Sequence, residues 1–548
     1  MEFDRVEAPV TAKAYLMCAF AAFAGMLFGY DSGYIASVLG MAEFKKAYGN
    51  PATGNYTTSQ KSLIVAILSC GTFCGALVSG SLADRFGRRT TIIAGCLVFV
   101  AGVDIQVAHI SITALVVGRL VAGFGVGFVS AVNILYMSEV APRHVRGAIV
   151  SSYQFAITIG IMLASCVGFA TQNRTDTGAF RIPIAIQFLW AGVLILGLLL
   201  LPESPRYFVK KGRLDLAMKA LARVRGQSVE SEYVLHELAE IQANFEYEQQ
   251  LGEVSWLGCF TGGVLTGGSN ARKVFIGTAL QMFQQFTGIN FIFYYNTTFF
   301  QQVGLRGPFL ISMITTVVNV ASTPVSFYTI ERFGRRPLLI YGALAMMVCE
   351  MIIAVVGTAR PDSQVANYCL ITFVCLYVFF FASTWGPAAW VVVGEIFQLP
   401  IRSKGVALST ASNWFWNCII AVVTPYMVEG SDGREGLGVK VFFGKYQGDN
   451  VHGPYADCTA IWAGLCLACA IFAYAVVPES KGLTLEQVDR MMEEVSARRS
   501  GKWRARENWA RDLGADVMGG ATVESIHLDH HKKISTSTAS ASAREVER

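Results

Sequence analysis

DRFGRR at residues 84–89 returns as ERFGRR at residues 331–336, each copy standing between two long apolar runs. Other pairs keep the same order along the chain. Glu139 is followed by Arg146 as Glu395 is followed by Arg402, and PESPR at 202–206 returns as PESKG at 478–482. A single basic loop would do no more than fix topology, whereas a series repeated in order marks two related halves.

Hydrophobic residues make up 53% of the chain and charged ones 15%, which excludes an ordinary soluble protein of 548 residues. A helix needs about 20 apolar residues to cross a bilayer. Twelve such runs lie near 14–38, 62–82, 90–109, 112–136, 148–170, 182–201, 273–302, 308–330, 337–357, 367–393, 405–428 and 459–477. If every run crosses, all the repeated motifs fall on one membrane face, so the halves are parallel copies related by an axis along the membrane normal. The expected fold is an all-α membrane protein, with twelve transmembrane helices in two pseudo-symmetric six-helix bundles. Its parts are an N-terminal tail over 1–13, a first bundle over 14–201, a cytoplasmic linker over 202–271, a second bundle over 272–480 and a tail over 481–548.

Basic residues cluster in the short loops at 84–89, 143–146, 331–336 and 402–404, which puts both termini in the cytoplasm. The sequons at Asn55 and Asn173 then face outside, where glycan acceptors belong, while the one at Asn296 lies inside a span. In the linker, Leu214, Ala217 and Leu221, then Tyr233, Leu235, Leu238 and Ile241, recur at helical spacing among charges and predict short amphipathic helices. The tail opens with an amphipathic turn, Leu485 to Met492, and then becomes Ser/Thr-rich, so disorder is expected beyond about residue 510. Most of the 13 cysteines sit within the apolar runs and read as small core residues, not as a disulfide or metal framework. The scattered basic residues form no nucleic-acid patch. Acidic residues in 1–13 argue against a signal peptide. No nucleophile–base pair or phosphate loop points to an enzyme, and no cofactor is expected.

One run is too polar for lipid. QMFQQFTGINFIFYYN, Gln281 to Asn296, carries Gln281, Gln284, Gln285 and Gly288 on one helical face, with Asn290 two residues on. Amides at membrane depth either join helices or face a cavity. An amide both donates and accepts, so such a face also suits a neutral ligand covered in hydroxyls.

Taken together, DRFGRR, ERFGRR, PESPR, QQFTGIN, GPAAW at 386–390 and PESKG resemble the sugar porter family of the major facilitator superfamily, over residues 14 to about 490. FGYDSGY at 28–34 is similar to the proton-coupled hexose symporters of fungi and plants, whose first helix carries an aspartate. The resemblance implies a sugar site made by Gln154, Gln284, Gln285, Asn290, Asn319 and Asn413, with Trp390 as an apolar platform and Phe28 packing from the first half. It also implies that Asp31 couples transport to the proton and pairs with Arg119. A buried carboxylate keeps its charge only beside a cation, and protonation would release Arg119 so that proton and sugar favour the same state. Asp84, Arg88, Glu139, Arg143 and Arg146, with Glu331, Arg335, Glu395 and Arg402, are expected to bridge the two halves at the cytoplasmic face in one state and part in the other.

The expected function is proton-coupled uptake of a monosaccharide, glucose fitting the amides best, by a monomer in the plasma membrane. Two alternatives stand beside it. A transporter-like glucose sensor would move no sugar, and an uncoupled facilitator would move it without protons.

Overall fold

A computed structural model of the chain describes residues 11–49, 56–108, 110–142, 145–250, 255–302, 307–359, 364–429, 461–483 and 485–503. The helices below belong to a unit that ends at Gly501, and a second unit, Lys502–Arg548, lies almost wholly outside the described residues. No strand occurs among the described residues.

Among the described residues, nine helices are long and apolar enough to cross a membrane. They are Tyr15–Gly40, Thr58–Phe86, Arg88–Ala108, Ile112–Val140, Gly147–Thr171 and Gly178–Leu200 in the first half, which are spans one to six. Spans nine, ten and eleven follow as Arg335–Val356, Asn367–Glu395 and Ile401–Pro425. Span eight is a pair, Pro308–Ser322 and Val325–Phe333, bent by 42°. Span seven consists of Asn270–Phe286 and Ile289–Gln302, and the twelfth run is described as Ile461–Ala475.

The unbroken helices expected at 273–302 and 308–330 are therefore each two helices, and each break has a local cause. Span seven breaks at Thr287 and Gly288, where Gly288 has φ +83°, a conformation open to glycine and costly for other residues. Span eight breaks at Thr323 and Pro324, because proline lacks the N–H that would continue the helix. Span ten divides into Gln364–Ser383 and Trp385–Glu395, and span one into Ala12–Ala22 and Ala24–Gly40.

Glycines set the packing of the first half. A Cβ at Gly123 of span four would stand 2.2 Å from the Leu68 carbonyl of span two, and one at Gly127 would stand 2.5 Å from that of Thr72. At Gly125 the obstacle is the Gly95 carbonyl of span three, at 2.5 Å. Backbones this close exclude any side chain, so these positions serve helix approach. Across the halves, span two packs on span eleven and span five on span eight.

The linker forms the short helices its periodicity predicts, Pro205–Lys210, Leu214–Arg225 and Glu232–Gln250. Val209, Ala217, Leu221, Val234, Leu238 and Ile241 bury together between them. A further helix, Leu485–Glu494, begins at the predicted amphipathic turn, and its Asp489 binds Lys273 at the base of span seven and Gln398 before span eleven.

Candidate functional site

The break in span seven ends one helix on three glutamines and starts the next beside an asparagine. Tyr377 of span ten donates to the carbonyl of Thr287 at 2.5 Å, supplying a partner at the interrupted ladder. Trp462 closes over Gly288, its ring 2.9 Å from where a Cβ would stand.

Around this break the amides bind one another. Asn413 Nδ2 donates to Gln281 Oε1 at 2.7 Å and to Gln284 Oε1 at 2.8 Å. Gln284 Nε2 in turn donates to the carbonyls of Trp385 and Gly386, at 3.1 and 3.0 Å, just past the break in span ten. Asn290 donates to Gln285. Asn417 Nδ2 also reaches Gln285 Oε1, at 3.3 Å, and its own oxygen accepts from Tyr294 and, across the halves, from Ser69 at 2.6 Å. A polyol entering here exchanges amide–amide bonds for amide–hydroxyl bonds, a trade of like for like that leaves no group unpaired.

Aromatic rings and orphaned polar groups complete the picture. Phe28 meets Trp414 edge-on at 4.8 Å, Trp414 Nε1 donates to Ser130 at 3.3 Å, and Trp390 meets Tyr153 edge-on at 5.9 Å. Gln154 lies against Gly386. Asn319 is fully buried with neither amide atom hydrogen-bonded, and Gln281 Nε2 is likewise unpartnered. Orphaned polar atoms in a buried place need an explanation, and a polar ligand supplies one.

Asp31 is fully buried and neither carboxylate oxygen has a hydrogen-bond partner. The expected Asp31–Arg119 bond is not made. Arg119 NH1 donates to the phenol of Tyr34 at 2.5 Å, and Tyr34 donates to Gln106 Oε1 at 2.9 Å. Tyr34 sits three residues after Asp31, one turn along the same face, and competes for the same cation.

At the membrane face that carries the repeated basic loops, the charges also pair differently from expectation. Arg88 grips Glu139 with two hydrogen bonds of 3.0 Å, and Arg335 grips Glu395 at 3.2 and 2.9 Å, so each pair stays within its own half. Asp84 and Glu331 add their carboxylates to the same arginines at 3.5 and 3.3 Å. Arg88, Glu139, Arg335 and Glu395 are buried, and Asp84 and Glu331 are half-buried at their edge. The crossings between halves run through serines: Ser403 donates to Asp84 at 2.6 Å, and Arg402 donates to Ser138 at 3.0 Å. Arg143 and the side chain of Arg146 lie outside the described residues, as does Asn55, whereas Asn173 is exposed.

The PES motifs prove to be caps. Glu203 accepts from the N–H groups of Arg88 and Arg89 at 2.9 and 3.0 Å, and Glu479 from those of Arg335 and Arg336 at 3.0 and 3.1 Å. A carboxylate there meets the free N–H groups of a helix start. Gly87 and Gly334 leave it room, since a Cβ at either would come 2.4 Å from the glutamate. Burial pushes the Glu203 carboxyl up, against the pull of the N–H groups it accepts from. Ser204 and Ser480 follow each glutamate and bind Glu139 and Glu395.

Sequence reasoning missed Tyr34, Gln106, Asn417, Ser204 and Ser480. Asn417 had a signal, one turn beyond Asn413. The others meet their partners only through the tertiary fold.

Broken helices lined with amides, a buried acid and paired charge networks at the repeated loops define a membrane carrier for a small polar solute. Comparison with known proteins agrees. The profile of the family described as "Sugar (and other) transporter" matches residues 17–492, and the chain belongs to that family. It is 44% identical to the major facilitator-type transporter ecdD of Aspergillus rugulosus, over 90% of both chains. It is 41% identical to the probable glucose transporter rco-3 of Neurospora crassa, over 92% of this chain and 84% of that one. Identity to the high glucose sensor RGT2 of Saccharomyces cerevisiae is 40%, over 86% of this chain and 60% of the sensor. Among solved structures, the proton:xylose symporter XylE bound to 6-bromo-6-deoxy-D-glucose matches with a TM-score of 0.74 at 26% identity, over 88% of this chain and 99% of that one. Inward-open XylE from E. coli matches at 0.62 and 25% identity, over 87% and 99%. The fold is the twelve-helix major facilitator fold.

Proposed function

We propose that the protein is a proton-coupled monosaccharide symporter, with glucose its preferred substrate and the proton its coupling ion. The observation that carries this reading is Asp31, an acid buried in span one with both oxygens unpartnered and a buried arginine close by. Ionisable groups at membrane depth are expensive and are retained for function. The amides of Gln284, Gln285, Asn290 and Asn413, with the rings of Phe28, Trp390 and Trp414, supply the hydrogen bonds and apolar faces a pyranose requires. The names of the relatives, glucose transporters among them, support the hexose. The carrier works as a monomer in the plasma membrane with both termini in the cytoplasm, an orientation supported by the basic loops.

The sensor relative favours a second reading, a receptor that binds glucose without moving it. One experiment separates them. Purified protein in sealed vesicles, given an inward acid gradient, is expected to accumulate labelled glucose above the outside concentration and to lose it when a protonophore is added. Equilibration without accumulation would mean a facilitator, and binding without entry would mean a sensor.

A further inference from the structure

We propose that Tyr34 is the alternate seat of Arg119: the guanidinium rests on the Tyr34 phenol while Asp31 holds a proton and swings to the Asp31 carboxylate when that proton leaves. The proposal rests on the reading of Asp31 as the coupling acid and adds a positioning residue to it.

Hydrogen-bond polarity carries the argument. Gln106 Nε2 donates to the Gly102 carbonyl at 3.3 Å, which leaves Gln106 Oε1 as an acceptor. That oxygen takes the single hydroxyl proton of Tyr34 at 2.9 Å. The phenol oxygen therefore turns its lone pairs to Arg119, which donates to it at 2.5 Å. The guanidinium carbon also lies 5.5 Å from the centre of the Tyr34 ring, within range of a cation–π attraction. Tyr34, Arg119 and Gln106 are all buried, so this chain is a designed seat and not a surface accident.

The same arrangement leaves Asp31 bare. An ionised carboxylate buried with no hydrogen bond is strongly disfavoured, so the geometry is that of the neutral acid. Tyr30 and Tyr34 on span one, Arg119 on span four and Tyr294 on span seven are the titratable and charged groups that face this site. Arg119 is the cation among them, and it has two competing acceptors one turn apart on span one. A neutral phenol holds the cation without cancelling its charge, whereas the carboxylate does both. The phenol therefore makes it easier for Asp31 to take up a proton, because Arg119 has somewhere to go.

Tyr34→Phe removes one hydroxyl and keeps the ring. Arg119 then stays on Asp31, and more acid is needed to displace it. The external pH for half-maximal gradient-driven glucose uptake in vesicles is expected to fall by about one unit, a tenfold weaker proton affinity. Gln106→Leu, which frees the phenol proton to turn toward Arg119, is expected to move the midpoint the same way. Glucose exchange measured at the acid end of each profile reports on folding. A Tyr34→Phe midpoint that coincides with the unaltered protein, or an exchange rate that falls as far as accumulation does, overturns the proposal. If the unaltered protein accumulates nothing, it is the coupling reading that fails. If it accumulates, Asp31→Asn does not, and Tyr34→Phe leaves the midpoint in place, the assignment of Tyr34 alone fails.

Discussion

The two halves share the chemistry of their repeated loops and differ in the membrane. Arg88, Glu139, Ser204 and Glu203 in the first half repeat as Arg335, Glu395, Ser480 and Glu479 in the second, bond for bond. Inside the bilayer the first half has continuous second, third, fourth, fifth and sixth spans with glycine contacts and carries Asp31 and Arg119. The second half has its seventh, eighth and tenth spans interrupted and carries the amides. Duplication therefore preserved the parts that hold each bundle shut at one end. Above them, one copy keeps mostly continuous spans around Asp31 and Arg119, and the other has jointed spans lined with amides.

That contrast can be broken or sharpened by substitution. The largest effect is expected for Asp31→Asn, which should abolish gradient-driven accumulation in vesicles while glucose binding to the purified protein persists. A mutant that still concentrates sugar would remove charge from the first half's role. Next come Glu139→Gln and Glu395→Gln, each of which takes from a buried arginine the carboxylate that grips it with two hydrogen bonds and leaves it the longer contact to Asp84 or Glu331. Each is expected to cost about 3–5 kcal/mol of stability, read as a fall in thermal midpoint. Similar falls would uphold the likeness of the two networks, and a fall in only one would break it.

A smaller effect is expected for Gln284→Ala, which removes an amide from the second half. Glucose Kd should rise by roughly 10–100-fold, equivalent to about 1–3 kcal/mol, with the pH midpoint unmoved. A shifted midpoint with unchanged Kd would contradict the division of labour. The smallest is Ser403→Ala, which deletes one crossing bond to Asp84. It should cost about 0.5–1.5 kcal/mol and raise the inward-open fraction, measured as faster labelling of a cysteine placed on the cytoplasmic side.

Much of this was legible in the residues. Period and composition revealed the helices, order of repeats revealed the two halves, and polar residues in an apolar run pointed to the amides. Partner choice was not legible. Asp31 and Arg119 look complementary as charges, yet Tyr34 lies as near along the helix and wins the hydrogen bond. Glu139 and Glu395 were expected among the charges that bridge the halves, but a buried charge takes the closest cation, and the fold delivers Arg88 to Glu139 and Arg335 to Glu395. The interruptions were visible in part: Gly288 and Pro324 stand at two of them, while at Thr384 the signal is Pro387, three residues on, whose missing N–H cannot continue the ladder.

The breaks in spans seven and ten are stitched to each other. Tyr377 of span ten serves the Thr287 carbonyl, and Gln284 of span seven serves the carbonyls of Trp385 and Gly386. A solute that claims the Gln284 NH2 group takes it from span ten, so occupancy and bending draw on the same two hydrogens. Recognition of cargo and retention of the joint are thereby mutually exclusive uses of one amide.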